Sequence, residues 1–362
     1  MAYRVIQWGT GRVGADAITG ILGHQDLELV GTWVHSEEKD GRDVGELFGN
    51  DPVGVIATRD KDALLAMDAD CVSYATARTW GQEPMVTVDE LARILRTGKN
   101  VSNASWPALV NAPGVGGGVY EKLQEACLEG GSTLYTGGID PGFGSLGLAL
   151  AALTVAAEVR SVRTFEILNY AHWNNPEWIR EHMGFGAKEV GTLFNSGQLS
   201  SIYAPMLHLM AEAMGAELDE VIEANEAIFT DEDFDVPAGH IAAGTICGIR
   251  FEVKGMIDGV PRLVVEHVTK LRDEDFPELD FQGGGYRVEI KGQPDILLDM
   301  KLSWPQAEAG SLLAGGSGRP GIFATAMTVV NAIPQVCEAE PGVLSYLDMK
   351  PHPSKNLARG SD

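Results

Sequence analysis

Only four cysteines occur in 362 residues, at Cys71, Cys127, Cys247 and Cys337, far apart and without a CxxC pair. Buried free thiols are therefore expected rather than a disulfide scaffold. Basic residues are scarce as well: 27 Lys and Arg stand against 51 Asp and Glu, a formal net charge of −24. DNA or RNA is an unsuitable partner for such a chain, because binding a polyanion takes clustered cations. A dinucleotide stays open, since backbone N–H groups at a helix N-terminus hold a pyrophosphate without basic side chains. No apolar run approaches the ~20 residues that cross a bilayer, and the chain enters a strand almost at once, so no membrane partner and a cytoplasmic location are expected. H-x-x-x-H spacing and Cys/His clusters are missing, which speaks against a metal site, and there is no G-x-S-x-G hydrolase elbow.

What the chain does have is glycine, 44 residues of it, beside ordinary shares of hydrophobic (44%) and charged (22%) residues. Its length exceeds that at which one core keeps growing, so two domains are expected. Residues 1–145 alternate strand and helix signals, the α/β pattern of a doubly wound parallel sheet: strands at 3–8, 27–34, 71–74, 100–103 and 133–136, helices at 13–22, 62–67, 87–97 and 116–129. Residues 146–315 read as an α+β domain with a mixed or antiparallel sheet. Here the pattern predicts a strand at 161–170, helices at 199–214 and 217–226, and a hairpin with arms 243–256 and 261–271 that turns at Asp258-Gly259. Strands at 286–291 and 296–302, a Gly/Ser-rich loop at 310–321 and a last helix at 322–336 follow.

The sharpest motif is Gly9-Thr10-Gly11-Arg12-Val13-Gly14, which directly follows the first strand and opens the first helix. A G-x-G-x-x-G string alone is weak evidence; between strand and helix it is a dinucleotide-binding fingerprint. Gly9 permits the tight turn, Gly11 lets the backbone approach the pyrophosphate, and Gly14 lets helix and strand pack closely. The NAD version carries an acid at the tip of the second strand, ~20 residues on. Here the tip reads Trp33-Val34-His35-Ser36, with Glu37 and Glu38 just beyond. His35, Ser36 and Lys39 offer donors instead, and Arg12 can stack on adenine or reach a 2′-phosphate. This chemistry favours NADP, with NAD still open.

Hydride transfer asks the protein for orientation, a dry pocket and an acid/base group. In open α/β sheets such groups lie beyond the carboxyl ends of the strands. That rule selects Thr76 for the cofactor ribose, Asn103 and Ser105 near the nicotinamide, and Asp140 in Gly137-Gly-Ile-Asp-Pro-Gly-Phe143. A cap or turn role competes for each. In the second domain Tyr170 and His172 fall on one face of an extended segment, and either can donate a proton. Trp106, Phe143, Trp173 and Phe185 are candidate pocket walls, with core packing as the alternative. His267 lies on the strand face opposite Glu266 and Val268, directed at a substrate or only at the sheet surface.

The segments Val5-Ile-Gln-Trp-Gly-Thr-Gly-Arg-Val-Gly14, Trp33-Val-His-Ser36, Gly138-Ile-Asp-Pro-Gly-Phe143, Met183-Gly-Phe-Gly186 and Thr325-Ala-Met-Thr-Val-Val-Asn-Ala-Ile-Pro334 together resemble the dihydrodipicolinate reductase-like NAD(P)-dependent oxidoreductases. That family includes 2,4-diaminopentanoate dehydrogenase and the native amine dehydrogenases. The resemblance implies a Rossmann domain over 1–145, an α+β domain for substrate and dimer contacts over 146–315, and a C-terminal helix returning to the Rossmann domain within 316–362. It also implies Asn331 on the cofactor side, a homodimer joined through the hairpin-rich sheet after Ala243, and no metal. NAD(P)+ would take hydride from the carbon bearing an amine, leaving an imine that hydrolyses to ketone and ammonia. Two positions depart from the family pattern. The loop Asn103-Ala-Ser-Trp-Pro107 lacks the glutamate that the amine dehydrogenases carry there, and Asp140 stands where asparagine is usual. Hydride transfer at a C–N bond is thus the first expectation. A reductase of a ketone, alcohol or cyclic imine without ammonia chemistry, and a dinucleotide sensor without turnover, remain beside it.

Overall fold

A computed structural model describes residues 2–76, 84–173, 175–281, 284–303 and 319–356. The chain divides into two compact units, Met1–Gly138 with Ile322–Asp362, and Ile139–Gly321.

In the first unit the elements run β1 (Tyr3–Trp8), α1 (Arg12–Gly23), β2 (Leu27–Trp33), α2 (Val44–Leu47), β3 (Ala57–Thr58), α3 (Lys61–Ala66), β4 (Cys71–Tyr74), α4 (Pro84–Leu95), β5 (Asn100–Asn103), α5 (Val119–Gly130) and β6 (Thr133–Thr136). Every strand pair in this sheet is parallel. The order β3-β2-β1-β4-β5-β6 is that of a doubly wound dinucleotide-binding sheet. The inner strands β4 and β6 are buried along their whole length, polar residues included, because both faces are covered. On α1 the apolar residues Ala17, Ile18 and Ile21 recur at helical spacing and pack against Val5 and Leu29.

The second unit contains α6 (Leu148–Leu153), β7 (Glu158–Asn169), α7 (Gln198–Ala213), β8 (Glu220–Phe229), β9 (Phe234–Val236), β10 (Gly239–Ile241), β11 (Ile246–Ile257), β12 (Val260–Lys270), β13 (Gly285–Gln293) and β14 (Ile296–Met300). Six of its strands form one mixed sheet in the order β14-β13-β7-β12-β11-β8, with β7 and β12 the parallel pair. Leu199, Tyr203, Met206 and Met210 line one side of α7 and are buried where it packs on β8, β11 and β12. After this unit the chain forms α8 (Arg319–Glu338) and β15 (Gly342–Leu344), which pairs with β6.

Three expectations need correcting. The sequence pattern predicts a helix over 217–226, but Glu220–Phe229 is an edge strand paired antiparallel with β11. Its glutamates and alanines favour a helix, and the ladder to β11 outweighs that local preference. Second, Pro320–Glu338, 19 residues with mean hydropathy 1.2, does approach the length and apolarity of a membrane span. In the fold it carries Ala326, Val330 and Ile333 into the same core as α1. Third, β7 ends at Asn169 and the chain then turns, with the Trp173 amide donating to the Tyr170 carbonyl at 2.9 Å. The alternation that placed Tyr170 and His172 on one face therefore stops short of them. Of the Gly/Ser-rich loop, residues 310–318 lie outside the described residues.

Candidate active site

In the first unit the glycine turn is built as the motif requires. Gly9 has φ +95°, and a Cβ there would lie 2.6 Å from the Ala75 carbonyl oxygen, where β4 ends beside Thr76. A Cβ on Gly14 would stand 2.1 Å from the Gly9 oxygen, which the Gln7 side-chain amide already holds at 3.0 Å. Gly11 differs, because a Cβ there would meet nothing within 4 Å. It caps α1 without a side-chain hydrogen bond, so no cap side chain covers the first amides of the helix. Those donors and the helix dipole fit a pyrophosphate.

At the tip of β2, Lys39 Nζ donates to the Thr10 carbonyl at 3.1 Å, which brings its charge to the glycine turn. Ser36 Oγ is buried with no hydrogen-bond partner among the described residues. A buried hydroxyl without a partner fits a ligand oxygen. His35 is exposed, with its ring edge-on to Trp33 at 6.2 Å. Arg12 is exposed, Val13 is half-buried behind the turn, and Asn331 is half-buried on α8. The Asn103 amide is already occupied, donating to Thr136 Oγ1 at 3.0 Å and accepting from the Ser105 N–H at 2.9 Å. Ser105 Oγ is buried and unpartnered among the described residues. Trp106 packs into the hydrophobic core of this unit rather than standing as a free wall.

In the second unit, sheet register assembles a cluster that no single segment announces. Phe251 on β11 pairs with His267 on β12, His267 with Glu166 on β7, and Glu166 with Tyr286 on β13. Paired residues point to the same face, so these four form one row across four strands. Tyr203 of α7 and Asp140 of the turn at Ile139–Gly147 close over that row. His267 Nε2 lies 2.9 Å from Asp140 Oδ2, and Nδ1 lies 3.3 Å from Glu166 Oε2. Side-chain exposure is only 5% for His267, 3% for Asp140 and 14% for Glu166. The imidazole stacks on Phe251 at 4.5 Å and meets Tyr203 at 4.9 Å.

Burial opposes a charge on His267, but the adjacent Asp140 and then Glu166 outweigh it, and the imidazole is pushed up to about 10. Tyr170, Tyr203 and Tyr286 are all held above the ordinary phenol value, by burial first and by the same two carboxylates second. They remain proton donors. The ligand atoms of Asp140, Glu166 and His267 fall within 4.8 Å of one another, a spacing that a metal set also has. Here, however, both ring nitrogens face carboxylates, so the histidine sits between the acids rather than beside them around a common centre. That places one carboxylate against each ring nitrogen. Among the described residues no lysine or arginine pairs with Asp140 or Glu166, and His267 is their cation.

The structure thus joins two residues selected from the sequence, Asp140 and Tyr170, to His267. His172 lies exposed in the turn after β7, outside the cluster. Trp173 stacks on Tyr170 at 4.7 Å. Phe143 is 38% exposed, whereas Phe185 is fully buried and presents no surface to a ligand. Glu166, Tyr203 and Tyr286 are not among the residues that the sequence singles out. An acid between Phe165 and Ile167 was the one available signal for Glu166, while the tyrosines become visible only through register and helix packing.

Residues 3–83 match the N-terminal domain of dihydrodipicolinate reductase, and residues 197–359 match the 2,4-diaminopentanoate dehydrogenase C-terminal domain. An amine dehydrogenase of Streptomyces virginiae is 32% identical over 359 residues, covering 96% of both chains. The 2,4-diaminopentanoate dehydrogenase of Acetoanaerobium sticklandii is 24% identical over 232 residues, 63% of this chain and 60% of that one. The solved amine dehydrogenase of Mycobacterium smegmatis covers 98% of both chains with a TM-score of 0.75 at 17% identity, and so shares the fold. By its two matched domains and its full-length relative, the chain belongs to the dihydrodipicolinate reductase-like family of dinucleotide-dependent oxidoreductases, with the amine dehydrogenases and 2,4-diaminopentanoate dehydrogenase.

Proposed function

We propose that this enzyme transfers hydride between a nicotinamide dinucleotide and the carbon of a C–N bond in a small molecule, interconverting amine and imine. The observation that carries this reading is the buried Asp140–His267–Glu166 group ringed by three phenols. It offers anionic surroundings to a cationic iminium and a proton to its hydrolysis or formation, and among the described residues no lysine or arginine pairs with its two carboxylates. The 96% coverage of a chain named amine dehydrogenase supports the same reading.

The bound cofactor supplies the hydride acceptor or donor. The chain's own part is to hold the pyrophosphate on the α1 amides, to offer Ser36 and Lys39 to a 2′-phosphate, and to exchange a proton at Asp140. Tyr170, which Trp173 stacks upon, lies close enough to that carboxylate to feel its charge. We take NADP as the preferred cofactor. Changing Ser36 and Lys39 to Ala is expected to weaken NADP by ~10-fold or more with little effect on NAD, through loss of charge-assisted hydrogen bonds. Equal loss for both, by fluorescence titration, defeats that preference.

Absorbance at the reduced-nicotinamide band tests the reaction across amines and carbonyls, with and without ammonium. Ketone turnover that requires ammonium is the expected result. Turnover that ignores ammonium assigns the enzyme to carbonyl reduction, the reading favoured by the absence of a carboxylate in Asn103-Ala-Ser-Trp-Pro107. Tight cofactor binding with no turnover leaves a sensor. We also take the protein as a homodimer through the mixed sheet, checked by light scattering on the eluting species.

A further inference from the structure

We propose that Asp140, His267 and Glu166 work as one proton relay, in which Asp140 exchanges the proton with the substrate and His267, seated against Glu166, stores it. The proposal rests on the amine reading of the reaction given above. Asp140 is the catalytic residue; His267 and Glu166 act through it and are positioning residues.

Three observations converge. Both ring nitrogens of His267 are engaged by carboxylates, at 2.9 and 3.3 Å, so the imidazole cannot itself reach a substrate and must pass its proton through one of them. Of the two, Asp140 stands on a turn that follows the end of β6 by four residues, whereas Glu166 is fixed inside β7, one of the two central strands of the sheet. Finally, Nε2 and Oδ2 approach closely without the alignment of a hydrogen bond. A small rotation of Asp140 makes or breaks the path. The groups facing His267 are Asp140 from the turn, Glu166 from β7, Tyr203 from α7 and Phe251 from β11, with Tyr286 from β13 and Tyr170 beyond β7 around the carboxylates. An imidazole held at about 10 is close to an alkylammonium, ~10.4 for a lysine side chain, so proton exchange between them is nearly balanced.

In the reductive direction, ammonia adds through its lone pair to the carbonyl carbon, and the proton redistributes to give a carbinolamine. His267 then gives its proton through Asp140 to the hydroxyl. The C–O bond breaks with its electron pair on oxygen, water leaves and an iminium remains. A reduced nicotinamide dinucleotide held on the α1 amides would supply the hydride that turns the iminium carbon into that of the amine. The next ammonium ion loses its proton through Asp140 to His267, which restores the relay and supplies the next ammonia. One ammonium proton enters and one leaves in water, and both electrons come from the dinucleotide.

The test compares two substrates and one spectroscopic signal in the full-length protein. With ketone plus ammonium, Asp140→Asn is expected to lose ~10²–10³-fold in kcat, whereas a preformed cyclic imine, which needs no departing water, loses less than ~10-fold. Glu166→Gln should lower kcat ~10-fold with KM nearly unchanged and move the alkaline limb of the kcat profile to lower pH. Histidine-labelled NMR, with His267→Gln to assign the ring, should find the His267 titration far above the ordinary imidazole range in the unmutated enzyme and lower in Glu166→Gln. This reading needs no turnover and holds if a kinetic variant fails to fold. Equal losses on both substrates, or His267 titrating in the ordinary range, overturn the relay. Ammonium-dependent turnover with Asp140→Asn unaffected overturns the relay alone, whereas no ammonium dependence in the unmutated enzyme overturns the amine reading and the relay with it.

Discussion

At Gly14 a single methyl group decides whether the first turn can close. The Cβ of Gly14→Ala would stand 2.1 Å from a backbone oxygen of Gly9, which has no side-chain freedom with which to yield. Either α1 shifts or the turn opens. We expect a loss of ~1–3 kcal/mol in stability, the range of overpacked cores, and a dinucleotide Kd weaker by at least ~10-fold. Denaturant unfolding and cofactor titration measure the two. Gly11→Ala meets nothing and serves as the control for stability. Gly14 was legible because its neighbours in space are its neighbours in sequence. His267 carries a second residue-scale prediction. Its proton is bound more tightly in the folded state, at about 10, than in the unfolded chain, at ~6.5. The stabilisation is therefore complete below ~6.5 and is lost as pH rises toward about 10. Cys127 and Cys247, pushed up to about 12 by burial, add to the decline only above the ordinary thiol value of ~8.5. A fall in melting temperature between pH ~6.5 and ~8.5 that disappears in His267→Gln is the expected signature. A fall of the same size in that variant would show that His267 is not its source.

At the scale of elements, β1, β2, β4, β5 and β6 were readable because each is a short segment bracketed by helix signals, whereas the short strands β3 and β15 gave no such signal. β8 was not readable. Glu, Ala and Leu around 217–226 speak for a helix, and what overrules them is pairing with β11, whose register no local window contains. The same limit hid the active-site row: Phe251, His267, Glu166 and Tyr286 are up to 120 residues apart in sequence and meet only through three strand pairings. The β11–β12 hairpin was legible from its turn, and the structure gives the reason. Asp258 has φ 53° and Gly259 φ 69°, two left-handed positions that match the twist of the strands. Gly259→Ala should cost ~1 kcal/mol in chemical denaturation, the usual penalty of a Cβ in the left-handed region, while Asp258→Asn is tolerated. Because His267 lies on this hairpin, Gly259→Ala should also loosen the site, whereas an unchanged unfolding midpoint would mean that the turn does not set the register.

For the whole molecule the dominant fact is charge. An enzyme with net charge −24 must admit an anionic dinucleotide through a field that repels it. The glycine turn resolves this locally, because amides at a helix N-terminus bind phosphate with dipoles and require few cations. The long-range field remains, and it acts on the rate of encounter more than on the bound state. Screening works over ~10 Å at 0.1 M salt, farther than the reach of any one contact in the turn. Raising salt from ~20 to ~200 mM should therefore increase the association rate of NADP severalfold, as repulsion between like charges is screened. Lys39 at the Thr10 carbonyl is the opposing term: were the local cations Arg12 and Lys39 to govern encounter, the rate would fall with salt instead. Stopped-flow fluorescence at the two salt concentrations decides between them, and repeating it with Lys39→Ala weakens the opposing term. In that variant the rise with salt should be steeper than in the unmutated enzyme, because one of the two local cations is gone while the repulsive field of the whole chain is still there to screen.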